Sequence, residues 1–166
     1  DSPLTVRQFA GGQSNPTYLV ESASGARIVL RKKPPGGLLP SAHAIDREFR
    51  VMRALAAQGL PIATPRLFCE DASLTGTAFY LMDFVEGRIF RDLTLPGQTP
   101  SERTAIYQAM AAELARLHTL EPAAAGLADY GRPGNYFERQ IARWSRQYLA
   151  STDEPLPAMR HLIEHL

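Results

Sequence analysis

Apolar and polar residues alternate through the first third of the chain, then give way to a helical period, which predicts a small sheet followed by helices. Leu4 to Phe9 and Thr17 to Glu21 read as strands flanking the Gly11-Gly12 turn, and Arg27 to Arg31 follows the Ser24-Gly25 turn as a third. Pro34-Pro35-Gly36-Gly37 breaks regular structure, and Pro40-Ser41 is a reasonable helix start. Ile45, Phe49, Met52 and Ala56 recur at steps of four, three and four, which predicts an amphipathic helix near 42–58 that Gly59 and Pro61 end. Two further strands are expected near Arg66 to Glu70 and Ala78 to Asp83. The order βββαββ describes an antiparallel sheet with one packed helix.

Beyond Gly87 the character changes. Thr99-Pro100-Ser101-Glu102 combines an N-cap, a proline at the first helical position and a glutamate at the third, the signature of a capping box. Ile106, Met110, Leu114 and Leu117 carry that helix onward. Phe137, Ile141, Trp144 and Tyr148 make a second apolar stripe, with Trp144 and Tyr148 expected in the helix core, and a third helix starts after Pro157. The chain therefore divides into a mixed sheet region, 1–87, and a helical region, 88–166.

Composition adds little to this picture. An apolar fraction of 45% with 21% charged residues is that of a globular protein. The net charge of +1 points away from nucleic acid and membrane surfaces as partners, although bases cluster at Arg31-Lys32-Lys33 and along Arg47, Arg50 and Arg53. A local cluster fits a phosphate-bearing small molecule. The single Cys69 forms no internal disulfide, no apolar run reaches the roughly 20 residues that span a bilayer, and no signal-peptide pattern opens the chain. A cytoplasmic protein is the expectation.

Three features could carry chemistry. Gly11 and Gly12 permit close approach of backbone N–H groups to an anion, and Gln13, Ser14 and Asn15 add side-chain donors at the turn tip. A plain hairpin connection explains the same residues. Glu48 falls on the apolar stripe of its helix, where an ionised carboxylate needs a cation. Strand alternation puts Val29, Arg31 and Lys33 on one face, so a nucleotide ring would meet Val29, its phosphates Arg31, and Glu48 would hold Arg31 in place. The alternative is an edge-of-stripe Glu48 reaching water. Finally, Phe79-Tyr-Leu-Met-Asp-Phe-Val-Glu-Gly87 reads as a strand running into a connector, in which the backbone of Asp83, Phe84 and Val85 would bond an adenine edge. A core strand ending in a turn accounts for it equally. His43, His161 and His165 lack metal-ligand spacing with cysteine or carboxylate partners, and His118 sits at a helix end where it caps or packs. Asp129 and Asn135 are separated by five residues, one more than a kinase catalytic loop has, and no histidine stands two before Asp129.

Together, Gly-Gly-Gln-Ser-Asn-Pro-Thr-Tyr at 11–18, Val-Leu-Arg-Lys-Lys-Pro-Pro-Gly at 29–36, Leu-Leu-Pro-Ser-Ala-His-Ala-Ile-Asp-Arg-Glu-Phe-Arg at 38–50 and Pro-Gly-Asn-Tyr-Phe-Glu-Arg-Gln-Ile-Ala-Arg at 133–143 resemble the aminoglycoside phosphotransferase-like family. The nearest branch is the kinase-like domain associated with acyl-CoA dehydrogenases. The resemblance implies an α+β, protein-kinase-like fold: a five-stranded N-lobe with one helix, followed by the first helices of a C-lobe. It implies ATP and magnesium as cofactors, and a small hydroxyl-bearing substrate of the hydroxyacyl-CoA type. It also implies an acyl-CoA dehydrogenase as partner. Gly11 to Asn15 would form the phosphate-covering loop, Arg31 would stand in the place of the usual strand lysine, Glu48 would be its helix partner, and Asp83 to Val85 the hinge. Arginine in the lysine place is a departure that alters phosphate geometry, and Lys32 or Lys33 would share the task. The family's His-Gly-Asp…Asn loop and later aspartate motif do not occur in this sequence, so the magnesium ligands are expected outside it and the chain alone is expected to be inactive. The competing reading is a non-catalytic nucleotide- or CoA-binding module that regulates an attached dehydrogenase.

Overall fold

A computed structural model of the chain describes residues 3–10, 14–36, 43–131 and 134–166. The first compact unit, Asp1–Leu127, contains the sheet and three helices. Strands β1 (Leu4–Gln8), β2 (Thr17–Ser22), β3 (Arg27–Lys32), β4 (Pro65–Cys69) and β5 (Phe79–Asp83) form one sheet in the order β1-β2-β3-β5-β4. Every neighbouring pair is antiparallel. The expected strands are all present, as is the helix α1 (Ile45–Ala57), which packs against β4 and β5. The Gly11-Gly12 turn with Gln13, and the Pro40-Ser41 helix start, lie outside the described residues. Among the described residues α1 begins later than the pattern suggested, at Ile45, behind an Ala44 that offers no side-chain cap.

Alternation sets what the sheet presents to α1. The cross-strand row Thr17, Arg31, Tyr80 and Phe68 lies on one face, and the next row on that face holds Leu19, Val29 and Met82. The helix covers this face with Ile45, which is buried, and with Phe49, whose ring packs against Phe68 at 5.5 Å and Tyr80 at 5.8 Å between centroids. Leu19, Val29 and Tyr80 are buried on this face, and Phe79 is buried on the opposite one. β1 is exposed along its whole length, as an edge strand that closes no core.

Between β4 and β5 runs α2 (Ala72–Thr75), a single turn that the apolar pattern does not reveal. It rests on local chemistry: Asp71 accepts from the Ser73 N–H at its start, and Gly76 ends it at φ 83°, where glycine has no Cβ penalty. Helix α3 (Pro100–His118) starts with the full capping box, the Thr99 side chain accepting from Glu102 N–H while Glu102 accepts from Thr99 N–H. Its far end is tied back by Arg116, which donates to the Gly59 carbonyl at 2.9 Å.

The second unit, Ala128–Leu166, is built from α4 (Tyr136–Ala150) and α5 (Pro157–His165). Tyr148 is half-buried and its hydroxyl accepts from Leu156 N–H at 2.8 Å. Trp144, expected in the core, is 62% exposed. The periodicity was right and the burial was not. Two short helices cannot enclose a full apolar stripe, because so small a unit buries too small a fraction of its surface. Among the described residues no helix is long and apolar enough to cross a membrane.

Candidate functional site

Arg31 of β3 and Glu48 in the first turn of α1 meet on the sheet face that the helix covers. The Arg31 Nε–H donates to Glu48 Oε2 at 2.7 Å and Nη2 donates to Oε1 at 3.3 Å, a two-pronged pair. Nη1 donates to Thr17 Oγ1 at 2.9 Å and to the Asn15 carbonyl at 3.2 Å. These bonds use four of the five guanidinium N–H groups, and among the described residues the second N–H of Nη2 has no acceptor. Glu48 is as fully engaged: Oε1 also accepts from Asn15 Nδ2 at 2.9 Å, and Oε2 from the Tyr80 hydroxyl at 3.2 Å. Asn15 Oδ1 lies 3.0 Å from His43 Nδ1.

Electrostatics follow from this. Glu48 bonding and charge raise the affinity of Arg31 for its proton against the opposing effect of burial. Burial works against the Glu48 carboxylate, but the hydrogen bonds and charge of Arg31, with Tyr80 and Asn15, outweigh it and hold the group below the usual glutamate range. Burial, then the Glu48 charge, push the Tyr80 phenol well above its ordinary value, so it remains a donor.

The other expected residues fall elsewhere. Val29 shares the Arg31 face, as expected from alternation, and is 6% exposed. Asn15 is not a donor at a turn tip: its side chain is buried and turned inward, whereas Ser14 is exposed. The Lys32 ammonium reaches the Thr75 carbonyl, away from Arg31. Asp83 donates its N–H to the Thr64 carbonyl at 2.9 Å, so that group is not open to a base edge. A bulge in β4 leaves Arg66 unpaired between Pro65 and Leu67, and its guanidinium grips the Asp83 carboxylate through two bonds of 2.6 Å. Arg27 lies over the Phe84 ring at 4.4 Å and reaches Glu86 at 3.3 Å, while Val85 is exposed. Arginines thus hold both flanks of the connector.

The model of the phosphotransferase enzyme family matches residues 5–166. The chain belongs to that family. Among relatives, acyl-CoA dehydrogenase family member 11 of Rattus norvegicus is 51% identical over 159 residues, covering 96% of this chain and 20% of its own length. The Homo sapiens protein of that name is 48% identical over 166 residues, covering 100% of this chain and 21% of its own. A solved Ralstonia eutropha chain, assigned as an aminoglycoside phosphotransferase, superposes with a TM-score of 0.73 at 48% identity, covering 99% of this chain and 47% of that one. The chain therefore spans about a fifth of the curated relatives and under half of the solved one. The kinase-like α+β fold is that of the phosphotransferases.

Three members of this hydrogen-bond network are not among the residues the sequence singles out for the site: Thr17, Tyr80 and His43. Tyr80 left a signal, since a tyrosine inside an apolar strand needs a partner for its hydroxyl. Thr17 and His43 left none, because their roles depend on strand register and on a backbone reversal.

The pair should show in acid. A carboxylate with a folded pKa below its unfolded value stabilises fully above the unfolded value, and loses that contribution as pH falls through the folded one. The denaturant midpoint of wild type should therefore exceed that of Glu48→Gln near neutrality, and the gap should close below about pH 4, the ordinary glutamate range. A gap of constant size down to about pH 3 would contradict the assignment of an ionised, paired Glu48.

Proposed function

We propose that this chain is the nucleotide-binding part of an ATP-dependent phosphotransferase that phosphorylates a hydroxyl group of a small molecule. Residues 1–87 would be the nucleotide lobe and 88–166 the opening of the second. The observation that carries the reading is the Arg31–Glu48 pair in a chain of this family, with one guanidinium N–H left over among the described residues. Held by Glu48, the guanidinium offers a phosphate its positive charge and that single N–H. The connector starts at Asp83, three strand residues or about 10 Å beyond Tyr80, so base and phosphate contacts would lie at opposite ends of β5. There the backbone of Phe84 and Val85, with the Asp83 carbonyl, would meet the base. Ser14, with Gly11 to Gln13, would cover the phosphates.

ATP supplies the phosphoryl group when bound. Magnesium does not fit the residues of the pair: both Glu48 oxygens already accept hydrogen bonds from three side chains. Among the described residues no group of three or more histidine, cysteine or carboxylate side chains is placed to hold a metal. Metal ligands would come from elsewhere in a longer protein. The names of the relatives favour a hydroxyacyl-CoA-type acceptor and an acyl-CoA dehydrogenase as neighbour in the same polypeptide. The same names support the second reading, a module that binds nucleotide or CoA without transfer.

Calorimetric titration of the chain with Mg-ATP, and separately with CoA, tests the proposal. Saturable ATP binding, with phosphate transfer from labelled ATP to a hydroxyacyl-CoA by the longer protein, is the expected result. Binding without transfer by the longer protein would select the regulatory module. No saturable ATP binding would overturn the nucleotide site.

A further inference from the structure

His43 is a left-handed residue with a side chain, φ 59°, in the turn that feeds α1. Such a conformation costs free energy in any residue with a Cβ and persists where surrounding contacts enforce it. The local contacts are specific: the His43 carbonyl accepts from Ile45 N–H at 2.9 Å, and the next carbonyl, of Ala44, accepts from Glu48 N–H at 3.1 Å as the first turn of α1. The reversal at His43 therefore sets where α1 begins, and the same residue sends its imidazole to Asn15.

The roles in that contact follow from the network. Asn15 Nδ2 donates to Glu48, so Oδ1 is the acceptor, and His43 Nδ1 must carry the hydrogen. Asn15 is 2% exposed, and among the described residues His43 is the donor that Oδ1 has, so losing it would leave a buried acceptor without one there. Its carbonyl meanwhile receives Arg31 and Thr17. One buried amide thus joins the strand-entry turn, the start of α1 and the Arg31–Glu48 pair.

We propose that His43 is a positioning residue that acts through Asn15 to hold the Arg31–Glu48 pair in register with the turn before β2. The inference rests on the nucleotide-binding reading for its consequence, but the linkage itself has a readout that needs no nucleotide. His43→Asn suits the left-handed backbone and presents an amide donor; His43→Gly suits the backbone and presents none; His43→Ala suits neither. Exchange of the Arg31 Nε–H with solvent, followed by nitrogen-15 NMR, reports the pair directly. Mg-ATP titration reports the site, and thermal melting reports the fold.

In His43→Gly the Arg31 Nε–H should exchange about fivefold faster and Mg-ATP affinity should fall about fivefold, the fold-change of one lost hydrogen bond. His43→Asn should restore both, and His43→Ala should resemble His43→Gly with a lower melting temperature. Arg31 exchange in His43→Gly equal to wild type, or His43→Asn as impaired as His43→Gly, would overturn the proposal. Wild type that fails to bind Mg-ATP would remove the nucleotide reading alone, and the exchange data would still decide the role of His43.

Discussion

Arg31→Ala should weaken Mg-ATP binding by about ten- to a hundredfold, the range for losing a charge-assisted contact to a phosphate. The reason is not only the lost cation. Without Arg31, the Glu48 carboxylate keeps its bonds from Tyr80 and Asn15 but, in the proposed site, would face the phosphates as an uncompensated negative charge. The Arg31 side chain is 27% exposed and that of Glu48 36%, between a surface pair and a buried one. Stability should therefore fall by roughly 2 kcal/mol, between the small worth of exposed pairs and the larger penalty of an orphaned buried charge. Arg31→Lys separates the two effects. Lysine restores the charge but cannot span both Glu48 oxygens while also reaching Thr17 and the Asn15 carbonyl, so binding should recover more than stability does. Unchanged Mg-ATP affinity in Arg31→Ala, measured where the variant is folded by circular dichroism, would sink the phosphate role assigned to this residue.

The sheet and α1 were legible because each rests on a local rule. Alternation marks the strands, the steps from Ile45 to Ala56 mark the helix, and Thr99 to Glu102 encode a cap within four residues. The pairing of Arg31 with Glu48 was legible for a different reason: a carboxylate on an apolar stripe must find a cation, and β3 supplied the nearest. What sequence alone could not give was register. Thr17, Arg31 and Tyr80 stand side by side only because β2, β3 and β5 pair as they do, and nothing local fixes that alignment. The same blindness puts Asn15 at a turn tip when its side chain is buried. Burial of the later stripes failed on another count. A helical period says which face is apolar, but not whether enough partner surface exists to cover it.

Tyr80→Ala should be the most destabilising single change in the first unit. Tyr80 is 2% exposed, packs on Phe49 and lies beside Arg31 and Phe68 in the sheet register. Removing a buried aromatic side chain costs about 3–5 kcal/mol, a large part of the roughly 5–15 kcal/mol that holds a domain of ordinary size. The denaturant midpoint should fall accordingly. Tyr80→Phe keeps the ring and removes only the hydroxyl that donates to Glu48 at 3.2 Å. It should cost about 1–2 kcal/mol, because the acceptor is charged but keeps its bond from Arg31. The two substitutions thus divide packing from polarity at one position. A double-mutant cycle of Tyr80→Phe with Glu48→Gln then isolates the contact itself, with a coupling of about 1 kcal/mol expected for two groups in one network. Additive effects would mean that the phenol stabilises the sheet without contributing to the hold on Glu48, and the carboxylate would then be positioned by Arg31 and Asn15 alone.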